Sequence, residues 1–429
     1  GMSDNWMRDH RKIAFYDISE ADPYRGEAIY TGMGVGEHYV GATWEDRAIK
    51  VQGPAVLSLK AQARRLLESQ GITGEKIPYP LRTHPMADGY RAAVEAERTR
   101  LRAQGGRDQR AVELHNLTGF QEKQVNVAKA TLFSLMPRGS VLKVPDSLWG
   151  SALYAALLSG SAFRGCRVLF VAPSLAAAPS SGWPQMAVAH DLFARLIVLQ
   201  QEFGPELEAA GGMLKTGIYN PGIGVQEVGA RFKAAYENAR RTPFLRRLFP
   251  LHADVDSLLK HVDVLLPVTA GGVKPPGEIM PKLHLKANFF ASREGWDSLV
   301  ARPEMAQVLE AYLIPLVSTT VDPKEAAQTL AVASERLQAN FSAVLSPDER
   351  KLVMYFLMIG STNQDYRSMF MDGEASVLLS GWSGVVSLVD FGLIMTLSVW
   401  IDDLDLLDAL IPPPTSFQRG AARLGRPLM

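Results

Sequence analysis

Residues 140–173 read SVLKVPDSLWGSALYAALLSGSAFRGCRVLFVAP, and this stretch decides the fold class. Its two ends, SVLKVP and RGCRVLFVAP, are short apolar runs bounded by Gly and Pro, as buried strands are. The middle is long enough and rich enough in Leu and Ala for a helix, with Asp146 placed to cap its start and Gly165 to end it. Strand, helix, strand at this spacing predicts two parallel strands joined by a crossover helix. Outward from it, QMAVAHDLFARLIVLQQEF (185–203) is a helix pattern and LKTGIYNP (214–221) a strand pattern, while GFQEKQVNVAKATLFSLM (119–136) is helical on the other side. The alternation predicts an α/β fold, a sheet with helices on both faces in an α-β-α sandwich.

The totals narrow the function classes. A chain of 429 residues, 47% hydrophobic and 21% charged, suits two or three packing units. Lys+Arg and Asp+Glu are both 45, so no global field draws this chain to nucleic acid or anionic lipid, and a charged partner must be held locally. Cys166 is the one cysteine; it opens an apolar run and reads as a buried structural thiol. The first residues carry no signal-peptide pattern. The most membrane-like stretch, residues 376–400, contains Asp390, glycines and serines, and is read as a buried strand followed by a buried helix, not a span. Compartment and oligomeric state are left open. No His/Cys spacing suggests a metal, and no cofactor is expected. Asp402, Asp403, Asp405 and Asp408 read as an exposed helix face. GMGVGE (32–37) lacks the helix that a nucleotide loop requires.

The chemistry sits in a repeated pattern. HRKIAFYD (10–17) and KLHLKANFF (282–290) each hold His-x-Lys, followed by apolar residues. On a strand, His10 and Lys12 share one face and Ile13 and Phe15 the other; His284, Lys286 and Asn288 oppose Leu283, Leu285 and Phe289. An imidazole can attack phosphorus or carry a proton near neutral pH, and an ammonium beside it can hold a phosphoryl oxygen. Two copies supply a nucleophile and a leaving-group acid. Either copy alone is a common pattern.

With IGSTNQDYRSMFMDGEASVLL (359–379) and WEDRAIKVQGPAV (44–56), the chain resembles the phospholipase D superfamily, in particular its cardiolipin synthase and bacterial phospholipase D branches. His10, Lys12 and Asp17 fit the family's His-x-Lys-(x4)-Asp motif; the second copy has Ala291 where Asp is expected. Gly360, Ser361, Asn363, Arg367, Ser368 and Glu374 match the pattern that follows the second motif, whereas the first copy has Gly34 in place of the Asn. The resemblance implies a pseudo-dimer of two similar halves: residues 1–130 with a linker, and 131–429 with helical insertions near 225–262 and 297–350. It also implies that the first half lacks strands upstream. It implies His10 as nucleophile, His284 as acid and base, and Lys12, Lys286, Ser361 and Asn363 around the phosphate. Asp46 and Glu374 would orient the imidazoles. The implied activity is phosphodiester hydrolysis or phosphatidyl transfer on a phospholipid, with peripheral membrane contact and no nucleic acid. A nuclease-like phosphodiesterase and an inactive lipid-binding scaffold are the alternatives.

Overall fold

A computed structural model describes residues 8–22, 24–34, 44–78, 81, 92, 96, 99, 110–119, 122–147, 149–173, 183–219, 268–269, 282–292, 355–380 and 398–425. The insertions expected near 225–262 and 297–350 lie outside them, as does the helix expected after residue 380.

The deciding stretch folds as anticipated in outline. Strand β6 (Val141–Pro145) is buried throughout, α3 (Ala152–Phe163) crosses over, and β7 (Arg167–Pro173) returns parallel to β6. The helix starts later than expected: Ser151, not Asp146, caps it by accepting from the Tyr154 amide, and Asp146 instead lies buried in a bridge with Lys286. The apolar run therefore leads straight into a loop whose polar residues face the site. Gly165, at φ 92°, ends the helix in the left-handed region. After α4 (Trp183–Glu202) and α5 (Gly204–Ala209), β8 (Met213–Tyr219) adds a third parallel strand.

These strands form the centre of a nine-stranded mixed sheet among the described residues, in the order β5-β13-β12-β11-β6-β7-β8-β14-β9. Its other members are β5 (Arg110–Asn116), β9 (Val268–Thr269), β11 (Ala287–Ala291), β12 (Tyr355–Gly360), β13 (Glu374–Ser380) and β14 (Ser398–Ile401). Alternation sends Leu142, Val144, Val168, Phe170, Leu214, Phe290 and Val399 to one face. There they form one core with Phe133 of α2 (Gln124–Leu135), Leu158 of α3, Phe193 of α4 and Leu407 of α7 (Leu404–Leu410). Helix α8 (Ser416–Gly425) packs on α4. Cys166 is buried in this core, and burial raises its thiol pKa, as a structural role requires.

Across β12 and β13 lies a small antiparallel sheet, β1 (Ile13–Tyr16), β2 (Glu27–Thr31) and β4 (Ala48–Gln52), followed by α1 (Ser58–Ser69). Tyr30, fully buried, reaches from β2 to Glu113 of β5, which also accepts from Ser58 of α1. The apolar back expected behind the first His-x-Lys is only partly covered: Ile13 is half-buried and Phe15 is 37% exposed. Behind the second copy, Leu283, Leu285, Ala287 and Phe289 are buried as expected. Among the described residues no helix is long and apolar enough to cross a membrane.

Candidate functional site

The two His-x-Lys copies enter the fold through matching connections. Asp9, just before His10, bridges in parallel to Gly373, just before Glu374. Leu283, just before His284, pairs in parallel with Glu45, just before Asp46, in a short two-stranded sheet of β10 (Lys282–Leu283) and β3 (Trp44–Glu45). Each motif is thus carried in beside the other copy's carboxylate. Arg8 and Arg367 clamp the buried Asp372 carboxylate at 2.8 and 2.9 Å, and the His10 amide donates to the Gly373 carbonyl at 2.8 Å.

The match continues through the strands that follow. Ile13 pairs with Tyr30 and Thr31 with Ala48 in the small sheet; Ala287 pairs with Ile359 and Gly360 with Ser376 in the large one. In this register Ile13 and Ala287 both stand three residues after their His, and Asp46 and Glu374 both stand two residues before the third strand's paired position. This correspondence makes Gly32 the counterpart of Ser361 and Gly34 the counterpart of Asn363.

The side chains complete a crossed arrangement. Nδ1 of His10 lies 3.0 Å from Oε1 of Glu374, and Nδ1 of His284 lies 2.7 Å from Oδ2 of Asp46. A carboxylate on Nδ1 fixes the tautomer and leaves Nε2 to react. Lys12 Nζ donates to the His10 carbonyl at 3.0 Å, and Lys286 Nζ to the His284 carbonyl at 2.7 Å, the same local turn in both copies. Lys286 Nζ also sits 3.0 Å from each ring nitrogen of His284. Both lysines feel Asp46 and Glu374, and Lys12 is among the charges acting on Lys286. The two copies therefore share one electrostatic environment.

Glu374 is fully buried and saturated. Besides His10 it accepts from Ser361 Oγ at 2.5 Å and from Ser368 Oγ at 2.7 Å. The Ser361 hydroxyl, expected near the phosphate, here donates to Glu374 and accepts from the Ala375 amide at 3.0 Å. Asp46 has fewer partners; the Arg47 amide donates to its Oδ1 at 2.8 Å. Gly32 makes room for it, since a Cβ there would stand 2.7 Å from Oδ2. Asn363 is oriented by Ser147, whose hydroxyl donates to its carboxamide oxygen at 2.7 Å, so its nitrogen is the end that can donate to an anion.

Asp17 does not join the cluster. It sits at φ 55° on the surface, 47% exposed in its side chain, paired with Arg25. The equivalent Ala291 is buried at the end of β11.

Sequence reasoning missed Ser147, Asp146 and Lys129, which stand around the site without belonging to a motif. Of the other histidines described, His190 meets Asp408 through Nε2 at 2.8 Å while its Nδ1 is buried without a hydrogen-bond partner among the described residues, and His115 is buried with no such partner for either ring nitrogen. The Asp402 to Asp408 run is an N-cap and a helix: Asp403 caps α7. No group of three or more His, Cys, Asp or Glu able to hold a metal occurs among the described residues.

Burial sets the charge states. It pushes Lys12 and Lys286 down to about 8, with Glu374 and Asp46 respectively the strongest opposing charges, and it pushes Asp46 up to about 6 against Lys286. An anion held by both ammonium groups would lose affinity as pH rises through about 8. Below about 6, Asp46 takes a proton and loses its charged bond to His284. Diethyl phosphate, a monoanion across this range, is therefore expected to bind more weakly as pH rises through about 8 when followed by 31P NMR; affinity still rising well above pH 8 would contradict the assignment. The stability contribution has the opposite sign for the lysines. Their lowered values mean the folded chain binds those protons less tightly, so stability from this source rises from about 8 toward 10.5.

No protein-family model and no curated protein matches the chain. Among solved structures it is similar to phosphatidylserine synthase of Haemophilus influenzae Rd KW20, at 12% sequence identity and a TM-score of 0.45, covering 94% of this chain and 69% of that one.

Proposed function

We propose that the crossed pairs form one phosphodiester-transfer site, built by two related halves and acting on a phospholipid. The observation that carries this reading is the exchange of carboxylates: His10 on Glu374 and His284 on Asp46, each with a lysine folded back on its own histidine. Two imidazoles with the same tautomer and two cations between them suit an in-line displacement, which needs a nucleophile on one side of phosphorus and a proton donor on the other.

In this mechanism Nε2 of His10 attacks phosphorus. The P–N bond forms as the P–O bond to the leaving alcohol breaks, and His284 gives that oxygen its proton. An incoming water or alcohol then returns a proton to His284, its oxygen forms the new P–O bond, and the P–N bond breaks. Lys12, Lys286 and the Asn363 amide neutralise the non-bridging oxygens as charge builds. With a phosphoryl group bound, Lys286 exchanges the imidazole for an oxygen. Acceptor choice between hydrolysis and transfer depends on how well water is excluded.

The test is covalent labelling. Protein incubated with 32P-phosphatidylglycerol in vesicles and quenched in alkali, where phosphohistidine survives, should carry label that acid releases. Absence of label under single-turnover conditions, with no diester cleaved, would remove the enzymatic reading and leave a binding scaffold.

A further inference from the structure

Lys129 lies on α2 behind the 361–364 turn, and no step above uses it. It is completely buried. Its Nζ donates to the carbonyls of Thr362 at 3.0 Å and Asn363 at 3.4 Å and lies 5.6 Å from the centre of the Tyr154 ring. The charged groups facing it come from three other segments: Asp146 after β6, Glu374 at the start of β13, and Asp365 at the start of α6 (Tyr366–Phe370). Burial pushes the ammonium down to about 8, and those carboxylates, Asp146 first, oppose the fall.

Stability gives a poor account of this residue. Exchanging a buried charge for an apolar side chain of similar volume is often neutral or stabilising, because the desolvation cost disappears. The position is a core position, flanked on the same helix by the fully buried Val125 and Phe133. What a methionine could not do is bind two successive carbonyls, and those carbonyls belong to the turn between Ser361, which holds Glu374, and Gln364, which holds Asn288 at 2.7 Å.

We propose that Lys129 is a positioning residue for the site: its ammonium fastens the turn carrying Ser361 and Asn363 and sets a positive charge behind the Glu374 carboxylate that orients His10. It acts through Glu374 and the turn and touches no substrate. The ligand arm of its test rests on the phosphodiester reading; the spectroscopic arm does not.

The experiment compares full-length wild type with Lys129→Met and Lys129→Arg, all 15N-labelled at histidine. Lys129→Met should remain folded, with a thermal midpoint at or above wild type, and should bind diethyl phosphate about tenfold more weakly, a loss of about 1.4 kcal/mol. The Nδ1 proton resonance of His10 should move while that of His284 stays, and Lys129→Arg should restore both readouts in part. A His10 resonance and affinity at wild-type values in Lys129→Met would overturn the proposal. Should that variant fail to fold, Lys129→Gln, which keeps a donor for the carbonyls without the charge, is read in the same way: a displaced His10 resonance supports the role and an unmoved one ends it. Failure of wild type to bind diethyl phosphate would count against the phosphodiester reading alone, with the resonance still deciding the role of Lys129.

Discussion

His10→Ala is expected to lower diester cleavage by at least about 10³-fold, and by a similar factor for every leaving group, because the proposed mechanism assigns the covalent bond to phosphorus to His10. His284→Ala should behave differently. In the proposed mechanism it protonates the departing oxygen in the first half-reaction, and a p-nitrophenolate departs without help. With bis(p-nitrophenyl) phosphate the His284→Ala chain should therefore release close to one equivalent of p-nitrophenol and then stall as phosphoenzyme, since the second half-reaction has lost its base. With an alkyl diester both variants should be inactive. The burst and the trapped adduct are measured by stopped-flow absorbance and intact mass. A burst from His10→Ala and none from His284→Ala would exchange the two assignments; equal residual rates in both variants and wild type would end the catalytic reading.

Glu374→Gln carries the second large effect, a loss of about 10² to 10⁴-fold in turnover, the range expected when an orienting carboxylate behind a catalytic imidazole is removed. Glu374 accepts from His10, Ser361 and Ser368 at once and is fully buried. Glutamine keeps the volume, but one end becomes an NH2 group that cannot accept, so at least one of the three donors loses its partner inside the core. A fall in thermal midpoint should accompany the kinetic loss. Asp46→Asn should cost less stability, because Asp46 makes fewer bonds. Asp17→Asn is the control: exposed and paired only with Arg25 among the described contacts, it should leave turnover within about twofold. Steady-state rates on one diester and thermal unfolding of the three variants check the series. Wild-type turnover in Glu374→Gln would show that the crossed pairing has no part in the chemistry.

These expectations divide along the line between local and distant information. Both His-x-Lys pairs and the strand-helix-strand at 140–173 were legible in the sequence, because each is a short local pattern of residue types, whereas Asp46 and Glu374 came only with the family resemblance. The start of α3 was misjudged by five residues: Asp146 is a good N-cap by type, but its carboxylate is held by the buried charges around Lys286 and Lys129. Asp17 was credited by motif spacing and stands on the surface. Ser361, which matched a phosphate-binding pattern, donates to Glu374.

The amino-acid order by itself determined which groups could do the chemistry and which local faces they share, since strand alternation and residue type need no distant contact. Tertiary structure alone decided who serves whom. His10 meets Glu374 across 364 positions of chain and His284 meets Asp46 across 238, through parallel pairings at Gly373 and Glu45 that no local periodicity encodes. A period of two tells a strand which side faces in; it says nothing of which strand will lie beside it. Lys129 was hidden for the same reason, being a lysine in an ordinary helix pattern until the fold closes two carbonyls and three carboxylates around it.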